Sequence, residues 1–270
     1  MNRQSMGGDG KRRRREEQYF LRNVLKRLPM YLWLFLSVPL FAQSQTALPF
    51  GKGEHIEYSV WFNFIRGGQH TLDIASIDTI DGNPCFHIIS RTKSKGVFEK
   101  IYRVRDTSET WLDTEGLFSR RFRKAINEGR YHKKYDVRFD YSDSLAYSKR
   151  DTVRIDRPVQ DALSIFYAAR AERLWVGRDL HLNNFDQDTL IDYNLKVNGR
   201  ETVDSALKQH ECFVLEPYKE KGELFRNKGK ITIYLSDDEN RIPVMIVGKA
   251  TIGSMIFKLE DYRKAHAGQR

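Results

Sequence analysis

The sequence lacks the residue patterns on which most recognisable chemistry rests. It has two cysteines in 270 residues, Cys85 and Cys212, without Cys-x-x-Cys spacing, and so no cysteine-based zinc site. Its seven histidines are scattered, with no pair at i,i+4 on a helix and no His-Glu-x-x-His. No metal centre and no cofactor are expected from them. There is no Gly-x-Ser-x-Gly elbow to present a nucleophile. Gly67-Gly68 lacks both the spacing and the following helix of a phosphate-binding loop. The acidic stretch 237–240 has the composition of a calcium loop but not its ~12-residue spacing or closing Glu. Beyond residue 42 no apolar run is long enough to cross a bilayer, and there are no repeats or low-complexity linkers. These absences leave a non-catalytic reading.

What is present suits a globular chain. Apolar residues make up 40% and charged residues 30%, the balance of an ordinary soluble fold. Aromatics reach 12%, which favours pleated, half-buried surfaces. The net charge of +10 is unevenly distributed. Residues 1–42 hold nine Lys/Arg and three acids, or +6, so the rest carries only +4. That excludes an argument for nucleic-acid binding from global charge.

The N-terminus reads as an export signal. Residues 11–27 are basic and polar, residues 28–42 are apolar, and a small residue, Ala42, precedes a polar stretch. This order describes a secretory signal peptide over residues 1–42, cut after Ala42. Leu40 at the −3 position is larger than usual at such a site. The apolar run of about 15 residues is short of the ~20 a spanning helix needs, which argues against an uncleaved anchor. The expected product, residues 43–270, is a single β-rich domain in the periplasm or outside the cell. In an oxidising compartment Cys85 and Cys212 can pair, or they stay two buried small hydrophobes.

Period-two alternation runs through most of the chain. Tyr58, Val60, Phe62 and Phe64 alternate, with Gly67-Gly68 read as the turn of a hairpin returning through Leu72 and Ile74. Asp81-Gly82 and Asn198-Gly199 have the residues of tight hairpin turns. Residues 93–103 carry no clear period and suggest a short helix or irregular crossing. One helix is expected near 158–172, capped by Asp156 or Arg157, with Pro158 in its first turn. Ala162, Ile165, Phe166 and Ala169 form its apolar stripe at i, i+3, i+4, i+7. Asp161 in its first turn offsets the helix dipole and Ser164 is tolerated there, so the two do not read as a catalytic pair. The sum is a mainly β, α+β fold: an antiparallel, strongly curved sheet or open barrel of roughly a dozen strands with one central helix. Such a sheet can enclose an apolar cavity. Trp61, Phe62, Phe64, Trp111, Phe166, Tyr167 and Trp175 are candidates to line it or to form its core.

A second candidate is a basic hairpin. With Glu128-Gly129 as a two-residue loop, Arg121 faces Asp136, Arg123 faces Lys134 and Ala125 faces His132. Arg121, Arg123, Lys134 and Arg138 then share one face. That strip fits an anionic partner such as a lipid headgroup or acidic polysaccharide, or it is a solvated face whose charges protect the strands from aggregation.

Several segments together carry a resemblance: Trp61 with Gly67-Gly68; Asp161-Ala-Leu-Ser164 with Phe166-Tyr167; residues 211–217; and residues 233–243 continuing to Ile252-Gly-Ser254 and Leu259. From about residue 50 to 262 the chain resembles the exported bacterial family called domain of unknown function 3108. The resemblance implies an exported β-rich domain and brings no catalytic residues. The curved sheet with a helix is similar in architecture to periplasmic lipoprotein carriers, an analogy of fold and not of function. The expected role is non-catalytic binding of an apolar or amphiphilic ligand in the cell envelope, with a lipid or an envelope protein as partner. The alternative is a structural or assembly protein without a small ligand.

Overall fold

The computed structural model describes residues 47–219, 229–251 and 253–265. The expected signal sequence and its cleavage point lie outside the described residues. From Leu48 onward the chain forms one unit.

Fourteen strands make a single sheet in which every ladder is antiparallel. They are β1 (His55–Phe62), β2 (Ile65–Ile80), β3 (Asn83–Ser94), β4 (Arg105–Asp113), β5 (Ser119–Glu128), β6 (Tyr131–Asp140) and β7 (Leu145–Ser148). The rest are β8 (Thr152–Arg154), β9 (Asp179–Asp186), β10 (Thr189–Asp204), β11 (Gln209–Tyr218), β12 (Lys230–Ser236), β13 (Pro243–Ala250) and β14 (Gly253–Arg263). β1 and β14 pair at the centre, β1 to β8 meander outward on one side, and β13 to β9 on the other. The edge strands β8 and β9 do not pair with each other, so the sheet is open. It curls nonetheless. Phe139 of β6 packs edge-on against Phe185 of β9 at 5.2 Å, and the Tyr135 hydroxyl donates to Asp188 Oδ1 at 2.9 Å.

Two dipeptides act differently from their sequence reading. Gly67-Gly68 is not a turn. It lies within β2, where the register steps from Val60 opposite Gly68 to Trp61 opposite Arg66. Gly67 is thus the extra residue of a bulge. At Gly68 a Cβ would meet the Lys93 carbonyl of β3 at 2.6 Å, so glycine serves close strand approach. The turn itself is Asn63-Phe64, with Asn63 at φ 52° and its Oδ1 accepting the Ser254 amide at 2.9 Å. Asn198-Gly199 likewise lies within β10, where the pairing to β11 skips Asn198. β10 holds β9 with its first half and β11 with its second, and this leaves no place for a reversal there. The neighbouring hairpin turns instead at Gln187-Asp188, both at positive φ. Asp81-Gly82 does turn the chain, at φ 48° and 79°.

There are two helices among the described residues. The short α1 (Gly96–Ile101) fills the crossing between β3 and β4. The central helix α2 is Ser164–Ala171, shorter than the sequence suggested. Val159 and Gln160 stay extended because the sheet claims their backbone: the Ser119 amide donates to Val159 O, and Gln160 exchanges bonds with Asn183 and Phe185 of β9. The turn that leads into the helix therefore begins at Asp161 and not at Asp156. Asp161 Oδ1 accepts the Leu163 and Ser164 amides at 2.7 and 2.9 Å, and Ser164 Oγ accepts the Asp161 amide at 2.8 Å. This reciprocal pairing is that of a capping box. Thr110 Oγ1 of β4 donates to Asp161 Oδ2 at 2.6 Å, tying the cap to the sheet. Burial pushes the Asp161 carboxyl above the usual aspartate range, and the Ser119 and Thr110 hydroxyls with the Ser164 and Leu163 amides pull it part of the way back. Asp161→Ala removes the cap and leaves buried donors unpaired. It should cost about 2 kcal/mol, and Asp161→Asn, which keeps an acceptor, should cost less. Urea unfolding of the two variants would show it; equal losses would mean that the cap bonds are not what matters at this site.

Two apolar clusters meet at α2. One joins the inner faces of β1 to β6 with Tyr167 and Leu163. The other joins Ala169 with Leu180, Leu195, Val197, Phe213, Leu215, Ile233 and Leu235. Phe166 touches both. The cysteines are free and buried, in β3 and β11, six steps apart in the sheet order. Of the two readings open in the sequence, the structure has the unpaired one, two buried free thiols. Burial pushes the Cys85 thiol up to about 11 and the Cys212 thiol up to about 12, which keeps both protonated and unreactive.

Candidate functional site

Beneath α2 lies a cavity of about 270 Å³. Its roof is the stripe Ala162, Ile165, Phe166 and Ala169. The helix thus packs its other face, Leu163 and Tyr167, into the β1–β6 core and leaves the predicted stripe facing space. Two of the four roof residues are alanine, and short side chains there leave the volume unfilled. The floor is apolar: Leu182 of β9, Leu195 of β10, Leu215 of β11, and Ile231, Ile233 and Leu235 of β12. Strand alternation brings these residues to one face, since Leu215 pairs with Ile233 and Leu182 with Tyr193.

One part of the wall is polar. Lys124 of β5, Asn184 and Asp186 of β9 and Tyr193 of β10 line it. Asn184 is buried, and its Oδ1 has no hydrogen-bond partner. A buried amide oxygen left unpaired costs about 1–3 kcal/mol, so a donor supplied by a ligand would be favoured there. Lys124 makes no ion pair among the described residues. Burial first, and then the nearby Asp186 charge, raise the Tyr193 pKa, which keeps its hydroxyl protonated. The cavity thus has an apolar body and a polar end offering a cation, an amide and a phenol, with Asp186 as the one anionic group among its lining residues.

Of the seven aromatic residues singled out from sequence, Phe166 alone lines this cavity. Tyr167 is in the core, edge-on to Phe50 at 5.0 Å. Phe64 is 85% exposed in the β1–β2 turn, Trp175 is exposed beneath the Arg178 guanidinium, and half-buried Trp61 donates to Ser59 Oγ. Phe62 pairs with Ile65 and Met255 at the same end of the sheet as Phe64. Trp111 is buried on the other face of its strand from the core residue Leu112, stacked on His87 at 4.4 Å, with Arg121 and Arg123 over its ring.

That outer face holds the basic strip, with a changed register. The turn is Gly129-Arg130, so Arg121 faces Arg138, Arg123 faces Asp136 and Ala125 faces Lys134. The shift is two residues, and so the four basic residues still share a face. Their charge is largely neutralised. Arg121 makes two bonds to Asp136 at 3.0 and 2.8 Å, Arg138 joins Asp81 and Asp140, and Arg123 lies 3.8 Å from both Glu109 and Asp136. Only Lys134 is without an ion pair among the described residues. An anionic partner would have to displace these carboxylates.

Among the described residues no group of three or more His, Cys, Asp or Glu side chains is placed to hold a metal ion, and no helix is long and apolar enough to cross a membrane. The model of the family described as Protein of unknown function (DUF3108) matches residues 57–260. The chain belongs to that family. The match spans the strands from β1 to β14 and includes the whole cavity lining, so the cavity is built within the DUF3108 domain. No curated protein matches the sequence. Among solved structures, a β-barrel-like protein of domain of unknown function DUF1849 from Brucella abortus has a TM-score of 0.50 at 13% identity. The alignment covers 80% of this chain and 99% of that one. A DUF1089 family protein from Pseudomonas aeruginosa gives 0.36 at 9% identity, covering 69% and 88%. The first likeness supports a barrel-like fold for the DUF3108 domain and carries no function.

Proposed function

We propose that this protein is an exported, non-catalytic binding protein of the cell envelope that holds a single-chain amphiphile in the cavity beneath α2. The observation that carries the reading is the cavity itself: an apolar body closed at one part by Lys124 and the unpartnered Asn184 oxygen. At about 270 Å³ it lies just under the usual range for ligand pockets. It is larger than the ~150 Å³ of an apolar cavity that takes up benzene. One short acyl chain or a small ring system fits that size, and a two-chain lipid does not. The basic N-region followed by a short apolar run supports export. The role of Asp161 and Ser164 as a helix cap supports the non-catalytic part.

Native mass spectrometry of the protein purified from its own cell envelope tests the proposal. A retained small amphiphile supports it; a folded protein that arrives bare and takes up no added ligand sinks it and favours an assembly role. A second measurement locates the ligand. Ile165 and Lys124 are both half-buried, so their substitution should leave the fold intact. Ile165→Asp should weaken binding of both decanoate and decanol by about tenfold or more. Lys124→Glu should weaken decanoate and spare decanol. If neither variant changes either affinity, the ligand is not in this cavity.

A further inference from the structure

Because every ladder is antiparallel, the connections fall at two ends of the sheet. One end carries the β1–β2, β3–β4, β5–β6, β7–β8, β9–β10, β11–β12 and β13–β14 connections. Among the described residues eleven large hydrophobic side chains are exposed, and eight of them lie there. Phe64 and Ile65 form the tip of the first hairpin. Val97, Ile101 and Tyr102 come from α1 and its end. Tyr131, Leu190 and Met255 stand at the starts of β6, β10 and β14. The exposure is large: 85% for Phe64, 76% for Ile101 and 68% for Val97. α1 buries none of its residues; it lays Phe98 against Gly67, where a Cβ would approach the ring at 3.2 Å, and turns the rest of its apolar side outward. Soluble surfaces scatter such side chains singly, and their concentration at one end marks an interaction surface.

The charge at that end is positive. Its described connections carry Lys95, Lys100, Arg103, Arg130, Lys149, Arg150 and Lys219 against Glu99, Asp151 and Asp188. Glu99 is already bonded to Arg105 and Ser94, and Asp188 to Tyr135. The hairpin turns of the opposite end are acidic, with Asp81, Glu115, Asp143, Asp237, Asp238 and Glu239 against Lys208 and Arg241. Exposed apolar side chains ringed by cations fit a bilayer surface, where the apolar groups enter the interface and the cations meet anionic headgroups. Asp186, at the polar part of the cavity, is the last residue of β9 and so lies at this same end.

We infer that the protein docks on anionic membrane surfaces through this end, with Phe64, Ile65, Val97 and Ile101 entering the lipid interface and Lys95, Lys100 and Arg103 facing the headgroups. The inference concerns a different surface from the cavity, and membrane docking without ligand uptake, or uptake without docking, separates the two. The test is flotation of the full chain with phosphatidylcholine vesicles, with and without phosphatidylglycerol. Residues 1–46 are common to all the proteins compared, so differences report on the substituted end. Val97→Asp/Ile101→Asp should lower the bound fraction by about tenfold or more. Lys100→Glu/Arg103→Glu should abolish the preference for phosphatidylglycerol, and Leu207→Asp at the acidic end should change nothing. All these side chains are exposed, and unchanged circular dichroism would confirm that the variants fold. Equal flotation of wild type and both double variants overturns the inference. So does a wild type that ignores vesicles but elutes as a dimer that Val97→Asp/Ile101→Asp converts to monomer, since the end would then be a contact between two copies.

Discussion

Arg170→Met should lower the unfolding free energy by about 3–5 kcal/mol, the largest loss expected from a single change in this chain. Arg170 and Glu54 are both buried and are joined by two bonds of 2.8 and 2.7 Å across 116 residues of sequence. Arg170 also donates to the Asn240 carbonyl at 3.0 Å, and the rings of Phe50 and Tyr167 lie 5.1 Å from its guanidinium. One side chain thus fastens three separate pieces: the segment before β1, helix α2, and the turn between β12 and β13. Removing it leaves the Glu54 carboxylate buried without its counter-charge, and that desolvation dominates the cost. The double variant Arg170→Met/Glu54→Leu should recover much of the loss, because no charge is then left buried. Urea unfolding of both single variants and the double would measure this. A single-variant loss under about 1 kcal/mol would mean that water reaches the pair.

Acid should destabilise the protein through His70. Its half-buried ring is flanked by Tyr58 and Phe257, at 5.8 and 5.2 Å, and bonded to Thr92 Oγ1 at 2.8 Å. Burial lowers its pKa to about 4, against about 6.5 in the unfolded chain. Above pH 6.5 the ring is neutral in both states and the fold has its full stability. Between pH 6.5 and 4 the unfolded chain takes up a proton that the fold resists. Stability then falls by about 1.4 kcal/mol per pH unit and levels off after a total of about 3 kcal/mol. His70→Gln keeps a polar partner for Thr92 and removes the titration. The difference between wild type and this variant, followed by chemical unfolding at pH 7, 6, 5 and 4, isolates the histidine from carboxylates that titrate in the same range. A pH-independent difference would show that His70 is not desolvated.

Much of the secondary structure was legible because its signals are local. Tyr135, Val137 and Phe139 alternate with charged residues, and they do sit on the inner face of β6. Asp81-Gly82 needed positive φ twice, and the chain turns there. The errors are also physical. Gly67-Gly68 and Asn198-Gly199 have the freedom a turn needs, but each lies in a strand at a register shift without positive φ, and only the pairing strand decides that. The helix lost its first turn because β5 and β9 offered Val159 and Gln160 better backbone partners than a helix could. The basic strip kept its face but not its charge: Asp136 and Asp140 of the hairpin are joined by Asp81 of the β2–β3 turn and Glu109 of β4, which the hairpin's own sequence does not reveal.

The candidate site shows the same division. The stripe Ala162, Ile165, Phe166, Ala169 was visible in the sequence, whereas the floor residues Ile231, Ile233 and Leu235 were found only in the structure. The sequence alone determined an antiparallel, helix-poor chain with no recognisable catalytic motif, because backbone periodicity and motif spacing are properties of neighbouring residues. Only the tertiary structure decided that the stripe faces a cavity, that Arg170 finds Glu54, that the cysteines stay apart, and that apolar and basic side chains from seven connections gather at one end. Each of these depends on how a fourteen-stranded sheet curls around one short helix. That curvature is the sum of bulges, strand twist and long-range packing, and no stretch of sequence short enough to read locally contains it.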